Sequence, residues 1–282
     1  NSYNNTEFFN GDNPSTFLKE ERKFERERKG LNTNLGVEWY VNKTSSFTAS
    51  MVYRNSDNAS NTTNILDEIG SNNSITRNIR LDPEIEDDKT IQYSLNYDNQ
   101  FNGDSQHKLT FDFQYEKSEE SETSLINQNR IDVENVETRE KQDRILLQAD
   151  YVKPVGKEGQ FEMGYRGQFQ NLNSDFLVEN TNDNGDTFFI NTDLSNDLAF
   201  SQYVNAFYTQ YGNKLGDKFS YLFGIRLEGT RVTIDQETSG AFEKKNYTQL
   251  FPTANLAYEI SEDASITLGY NRRIRRPRSY FI

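Results

Sequence analysis

The 282-residue sequence lacks cysteine altogether, and it contains a single histidine, one tryptophan and five prolines. Without cysteine there is neither a disulfide nor a thiolate metal site, and one histidine leaves few candidate ligands for a transition metal. The sequence also lacks a run of about eighteen apolar residues, the least that a membrane-spanning helix requires. Basic residues are scarce relative to acidic ones, and the net charge of -13 argues against a nucleic-acid-binding protein.

Aromatic residues are abundant in a chain that is otherwise polar. Only 33% of the residues are hydrophobic, yet 13% are aromatic, with 16 tyrosines and 20 phenylalanines. Disordered chains are also polar, but they contain few aromatic residues. An outer-membrane β-barrel accounts for both properties, because its lumen and loops are wet and aromatic girdles mark its two interfaces.

Alternation of apolar and polar residues is the clearest local pattern. A period of two places one residue set on each face of a β-strand, whereas a helix would scatter the same residues around its surface. The pattern is strongest in four segments: 91–98, 109–116, 219–228 and 266–271. It predicts an all-β, antiparallel protein, and we expect the charged segment 20–41 to be a strand as well.

Short and long polar stretches alternate between the predicted strands. Short links lie near residues 42–45, 102–105, 153–159, 212–217 and 261–263, and longer stretches rich in Asn, Asp, Ser, Thr and Glu cover about 57–87, 118–137, 177–196 and 236–246. This asymmetry is typical of outer-membrane barrels, which have short periplasmic turns and long extracellular loops. The sequence therefore predicts about ten strands of roughly 10 to 16 residues each, in one domain segment covering 1–282.

Two motifs in the C-terminal third resemble the barrel of TonB-dependent receptors of the Bacteroidota type. The first is Ala206–Tyr211 followed, across a turn, by Phe219–Glu228, which ends in a G-[ILV]-R-x-E pattern. The second joins Leu250–Ala254 to Leu268–Pro277 and resembles an FPS … RIxRP hairpin, with Thr253 and Asn271 in place of the usual serines. The resemblance is good over about 197–277 and rests only on the hairpin rhythm upstream.

The resemblance implies a protein that is larger than this chain. Such receptors have a barrel of about 22 strands in the bacterial outer membrane, surrounded by lipid. An N-terminal plug fills the barrel, and the TonB system energises uptake of a scarce, bulky solute such as a metal chelate, a glycan or a peptide. Neither plug nor TonB box is recognisable here, and Tyr280-Phe281-Ile282 does not resemble a final barrel strand. We therefore expect the chain to be a fragment of the barrel.

Charged residues on the polar face of the predicted strands are the candidate site. Arg226 and Glu228 alternate with apolar residues, and Arg273 and Arg275 alternate with Tyr270 and its partners, so all four are predicted to face the lumen. Arg272 is then expected to point outward near an interface. These residues could contact a plug, an anionic solute or lipid head groups, or form the charge ladder that any polar lumen contains.

The sequence gives little support for any other functional site. His107 follows a short turn, with no sign of a nucleophile beside it, and residues 182–186 lack the distal glutamate of an EF-hand calcium loop. The acidic residues Glu84, Glu86, Asp87 and Asp88 suggest a solvated loop. The sequence therefore predicts no catalytic residue, no metal, no cofactor and no enzymatic activity.

Two further functions stay open at this point. One is a passive structural or adhesive outer-membrane barrel, whose acidic loops bind a surface partner without an energy source. The other is a soluble extracellular β-sandwich that acts as a binding module, with its aromatic residues in a buried core.

Overall fold

The computed structural model describes residues 1–10, 13–182, 187–274 and 276. These residues form a single 12-stranded antiparallel sheet. The strands are β1 (Ser2–Asn10), β2 (Asn13–Asn42), β3 (Ser45–Ile69), β4 (Ile75–Gln100), β5 (Lys108–Gln128), β6 (Ile131–Val155), β7 (Gly159–Thr181), β8 (Phe188–Ile190), β9 (Asn196–Leu215), β10 (Phe219–Gln236), β11 (Ala241–Ser261) and β12 (Ala264–Asn271). A 3₁₀ turn at Phe101–Gly103 links β4 to β5.

The strands follow one another across the sheet in chain order. Each long strand pairs with the next, except that the three-residue β8 pairs only with β7, which then continues to β9. The order begins at β1 and ends at β12, so the described residues form an open segment of a barrel with two edges. The predicted all-β antiparallel fold is confirmed. A β-sandwich needs two sheets packed face to face, and this single sheet is not one.

The predicted short turns are confirmed at one end of the sheet, here called the short-turn end. Asn42 closes the β2–β3 turn by accepting bonds from the backbone and hydroxyl of Thr44, at 2.8 and 2.9 Å. Gly156 and Gly216 have positive φ angles of 69° and 62°, which glycine adopts without steric cost. These residues let consecutive strands reverse with only two or three residues between them.

The opposite end, here called the long-hairpin end, differs from the prediction. The polar stretches predicted as long loops are mostly strand, so that β3 and β4 run 25 and 26 residues and turn only at Gly70–Ser74. Cross-strand pairs stabilise these extensions, as where Arg77 donates two bonds of 2.7 Å to Asp67. The expected strand length of 10 to 16 residues is wrong, because strands that rise above a membrane need no apolar face.

The two faces of the sheet differ in exposure. The outer face carries Phe207 and Phe223, which are 62% and 52% exposed, whereas the inner face carries Ala206 and Glu228 at 0% and 5%. Side chains crowd together on the concave side of a curved sheet and spread on the convex side. The asymmetry therefore identifies the inner face as concave, as in a barrel wall.

An apolar band crosses the outer face near the short-turn end. Tyr93 pairs with Tyr115 and Leu95 with Phe113 within this band. Towards the long-hairpin end it stops at charged outer-face residues: first Lys117 pairs with Asp143, and then comes a charged row in which Glu119 pairs with Lys89 on one side and Lys141 on the other. Strand segments beyond this row lie outside the membrane-spanning part. Among the described residues, no helix is long and apolar enough to cross a membrane.

Candidate functional site

A buried carboxylate joins two arginines on the inner face. The Glu228 carboxylate forms an ion pair with the guanidinium of Arg226 on the same strand, with a nitrogen–oxygen distance of 2.9 Å. It forms a second ion pair with Arg276, which lies beyond the end of β12. Arg276 donates a further bond of 3.1 Å to the hydroxyl of Thr230. The inward alternation of β10 fixes Arg226 and Glu228 on one face, and the segment that follows β12 adds Arg276.

Aromatic and acidic side chains extend this network across β9 and β6. The guanidinium of Arg226 lies 5.6 Å from the ring centre of Tyr208, and the Tyr208 hydroxyl donates to Asp150. The register places Tyr208 directly beside Arg226. Together these contacts form a polar ladder that spans β6 to β10 at the level of the apolar band.

The arginines after β12 do not follow the predicted alternation. The strand ends at Asn271, so parity no longer determines direction. Arg272 was predicted to point outward, and this is wrong: its guanidinium bonds the carbonyl of Leu250 at 3.3 Å and lies 5.9 Å from the Phe251 ring on the inner face. Arg273 borders the same small cavity as Arg226 and Glu228. Arg275 lies outside the described residues.

A larger groove lies on the inner face beyond the apolar band. Its volume is about 840 Å³, and side chains of both charge signs line it. The basic ones include Arg28, Arg54 and Arg144, and the acidic ones include Asp88 and Glu140. The groove therefore offers a polar solute hydrogen-bond donors from β2, β3 and β6 and acceptors from β4 and β6.

Carboxylates concentrate at one side of this groove. Glu120 stands between Asp88 and Glu140 in one cross-strand row. Partial burial, followed by repulsion from Asp88, Glu140 and Glu86, raises the pKa of Glu120 to about 6. Burial and then Asp88 likewise raise the pKa of Glu86. The acidic residues predicted to form a solvated loop lie instead in the paired strand β4, with Glu84, Glu86 and Asp88 on the inner face and Asp87 on the outer one.

The remaining sequence candidates have simple surroundings. His107 lies 3.0 Å from the Tyr151 hydroxyl, and its ring is 4.5 Å from that of Phe101, so it packs in the β4–β5 turn. Of residues 182–186, all except Asn182 lie outside the described part of the chain. Sequence reasoning missed both Arg276 as a partner of Glu228 and the acidic row, since each depends on pairing between distant segments.

Residues 99–282 match the family model described as the outer membrane protein beta-barrel family. The chain belongs to this family. The match reaches further upstream than the motifs at 197–277, and it places the protein in the bacterial outer membrane. No curated protein matches the chain.

Solved structures similar to this family member are uptake receptors. The siderophore receptor PiuA from Acinetobacter baumannii has a TM-score of 0.50 at 9% identity, over 95% of this chain and 48% of PiuA. The ferric yersiniabactin uptake receptor FyuA from Yersinia pestis gives 0.47 at 11% identity, over 90% and 46%. The unliganded ferric citrate transporter FecA gives 0.44 at 13%, over 85% and 42%. The chain thus spans about half the length of these structures, and the likeness to PiuA is one of fold.

Proposed function

We propose that this outer-membrane barrel belongs to a receptor that imports a bulky, polar solute with energy from the TonB system. The observation that carries the proposal is the groove of about 840 Å³ on the inner face, at the end where outer-membrane barrels face the cell exterior. Membership of the barrel family, the fold shared with PiuA and the receptor-like motifs at 197–277 support the same function.

The chemistry of the groove restricts the solute to a polar one. Guanidinium groups such as Arg54 and Arg144 suit carboxylates, phosphates or the oxygens of a metal chelate, because they donate in a planar fork. Carboxylates on the facing strands suit hydroxyl or amine donors. A metal chelate, a glycan and a peptide each present such groups, and the proposal assigns the chain no catalytic step.

The polar ladder near the short-turn end has a separate place in this proposal. We assign Arg226, Glu228 and Arg273 to the lumen, where they would meet a plug domain of the same polypeptide, and the inward direction of Arg275 stays a prediction from the sequence. A plug needs a polar wall that is charged yet internally paired, and the Arg226–Glu228 pair at 2.9 Å has this character. Outer-membrane lipid would contact the opposite, apolar face.

A deletion strain provides the test. We expect it to lose growth on one member of a panel in which a ferric siderophore, a glycan or a peptide is the only source of iron or carbon. Cells that lack TonB, or that are treated with a protonophore, should show the same loss. Uptake that persists in both would contradict the receptor proposal and favour the passive barrel.

A groove variant connects the loss to the described residues. Arg54→Ala removes a guanidinium from the inner face, and we expect the half-saturating solute concentration to rise about tenfold, as for a lost bond to a charged group. Asp57→Ala, at an exposed position on the outer face of the same strand that does not line the groove, is the matched control and should leave uptake unchanged. Equal uptake by both variants would exclude the groove as the binding site.

A further inference from the structure

Three carboxylates converge on the inner face beyond the apolar band. Glu86 and Asp88 lie on β4, and Glu120 pairs with Asp88 from β5. One carboxylate oxygen from each residue lies within 4.8 Å of an oxygen of the others. A Ca²⁺–oxygen distance is about 2.4 Å, so these oxygens are close enough to one another to share a single ion.

A fourth oxygen-bearing side chain stands beside the carboxylates. Asn58 on β3 pairs directly with Glu86, which places its side chain on the inner face beside the carboxylates. Asn58 is only 4% exposed, yet neither polar atom of its amide meets a hydrogen-bond partner among the described residues. Buried amides are nearly always bonded, so this amide points to a missing partner.

The positive charges nearby do not fully balance the carboxylates. Arg26 contacts Glu86 at 3.6 Å. Arg28 reaches Asp88 only through Ser56: the guanidinium donates to the Ser56 hydroxyl at 3.4 Å, and that hydroxyl donates to Asp88 at 3.1 Å. Glu120 has neither of these arginines as a direct partner in the described contacts. Glu120 instead stands between the carboxylates of Asp88 and Glu140 in the register, and a bound cation would offset the repulsion among them.

We propose that Glu86, Asp88, Glu120 and Asn58 form a Ca²⁺ site on the inner face, at the extracellular end of the barrel. All four ligands are oxygens, which suits a hard cation. Ca²⁺ accepts six to eight oxygens in flexible geometry, so bidentate carboxylates and water complete the shell. Mg²⁺ requires near-ideal octahedral geometry with oxygens at about 2.1 Å and gives up its water reluctantly, so we expect it to bind here more weakly than Ca²⁺.

The site would hold three strands together where no membrane supports them. Its ligands come from β3, β4 and β5, just beyond the charged row at Lys89 and Glu119. Asp88 and Glu120 also border the groove, so the ion would stiffen one wall of it. This inference goes beyond solute uptake and does not require TonB coupling.

The test compares neighbouring acids on opposite faces of one strand. Full-length protein in detergent is stripped with EDTA, dialysed and titrated with CaCl₂ in a calorimeter. We expect one saturable Ca²⁺ site in the wild type, weaker binding of MgCl₂, and a Kd for Ca²⁺ raised about tenfold or more in Asp88→Asn, since affinity follows the charge of the ligands. Asp87→Asn, whose carboxylate lies on the outer face, should bind as the wild type does.

Two results would overturn the site. One is the absence of saturable Ca²⁺ binding in the wild type. The other is identical titrations for Asp88→Asn and Asp87→Asn, which would mean that co-purified anionic lipid holds the ion. If Asp88→Asn does not fold, Glu120→Gln and its outer-face neighbour Glu119→Gln form a second matched pair with the same expected contrast. Solute uptake is not measured here, so failure of the Ca²⁺ site leaves the receptor proposal to its own test.

Discussion

At the scale of single residues, Glu228 has the most constrained environment in the polar ladder. Its carboxylate is almost inaccessible to solvent and contacts two guanidinium groups, those of Arg226 and Arg276. A buried ion pair gains little over an apolar pair of the same shape, but loss of one partner leaves a charge without compensation. In this ladder the uncompensated charges would be two arginines that repel each other.

We expect Glu228→Gln to lower the free energy of unfolding by about 2–3 kcal/mol, less than for a fully buried pair because Arg226 keeps some solvent contact. Urea titration of the protein folded in lipid vesicles measures this change. Glu259→Gln is the control, because Glu259 and Lys214 form an exposed pair at 3.4 Å worth below about 1 kcal/mol. Equal losses in the two variants would show that the ladder contributes no special stability.

At the scale of the strand, alternation divides each element into a lipid-facing and an inner set. On β10 the exposed residues Phe223, Ile225 and Leu227 lie within the apolar band, and Arg231 is the first outer-face charge towards the long-hairpin end. The same strand therefore passes from lipid to water without a change of conformation, because cross-strand hydrogen bonds satisfy its backbone throughout.

The stability cost of a lysine at different positions on the outer face of β10 should show where the lipid-facing part of the strand ends. Ile225→Lys puts a charge inside the apolar band, and we expect it to cost about 2–4 kcal/mol in lipid vesicles, the penalty for a charge near the bilayer centre. Thr233→Lys lies on the same face beyond Arg231 and should cost about 1 kcal/mol or less. If Thr233→Lys is as damaging as Ile225→Lys, the band extends further than the structure indicates.

At the scale of the whole molecule, the two ends of the sheet differ in how far the strands extend beyond the apolar band. At one end the strands turn close to the apolar band, as at Gly156 and Gly216, whereas at the other end paired extensions carry the hairpins well beyond the band before they turn. In outer-membrane barrels the short turns face the periplasm, so the groove and the acidic row belong to the cell exterior. A solute from outside would thus meet these residues before it met the ladder at Glu228.

The absence of cysteine makes this orientation simple to measure. Asn72→Cys places a thiol in the exposed β3–β4 turn, and we expect a membrane-impermeant maleimide to label it in intact cells. Lys157→Cys, in the exposed β6–β7 turn at the short-turn end, should be labelled only after the cells are broken. Labelling of Lys157→Cys alone in intact cells would reverse the assignment of the two ends.

Much of the architecture could be predicted from the sequence, because it depends on local rules. A period of two in segments such as 219–228 determines which residues share a face, and glycine or asparagine at reversals determines where hairpins turn. The position of Arg226 and Glu228 on one face follows from this alternation alone. The extended hairpins could not be predicted in this way, since polar residues on both faces leave no period to detect.

Contacts between strands were decided only by the tertiary structure. Asn58, Glu86 and Glu120 belong to three strands, and nothing in their local sequence shows that they stand side by side. Their proximity follows from the register of the strands, and this register is determined by the turns and by the apolar band, which lie elsewhere on the same strands. Arg272 illustrates the same limit, because alternation ceases to determine direction once β12 ends at Asn271 and the guanidinium of Arg272 lies over the Phe251 ring. Local periodicity thus determined the strands and faces of this protein, whereas long-range pairing decided which charges meet.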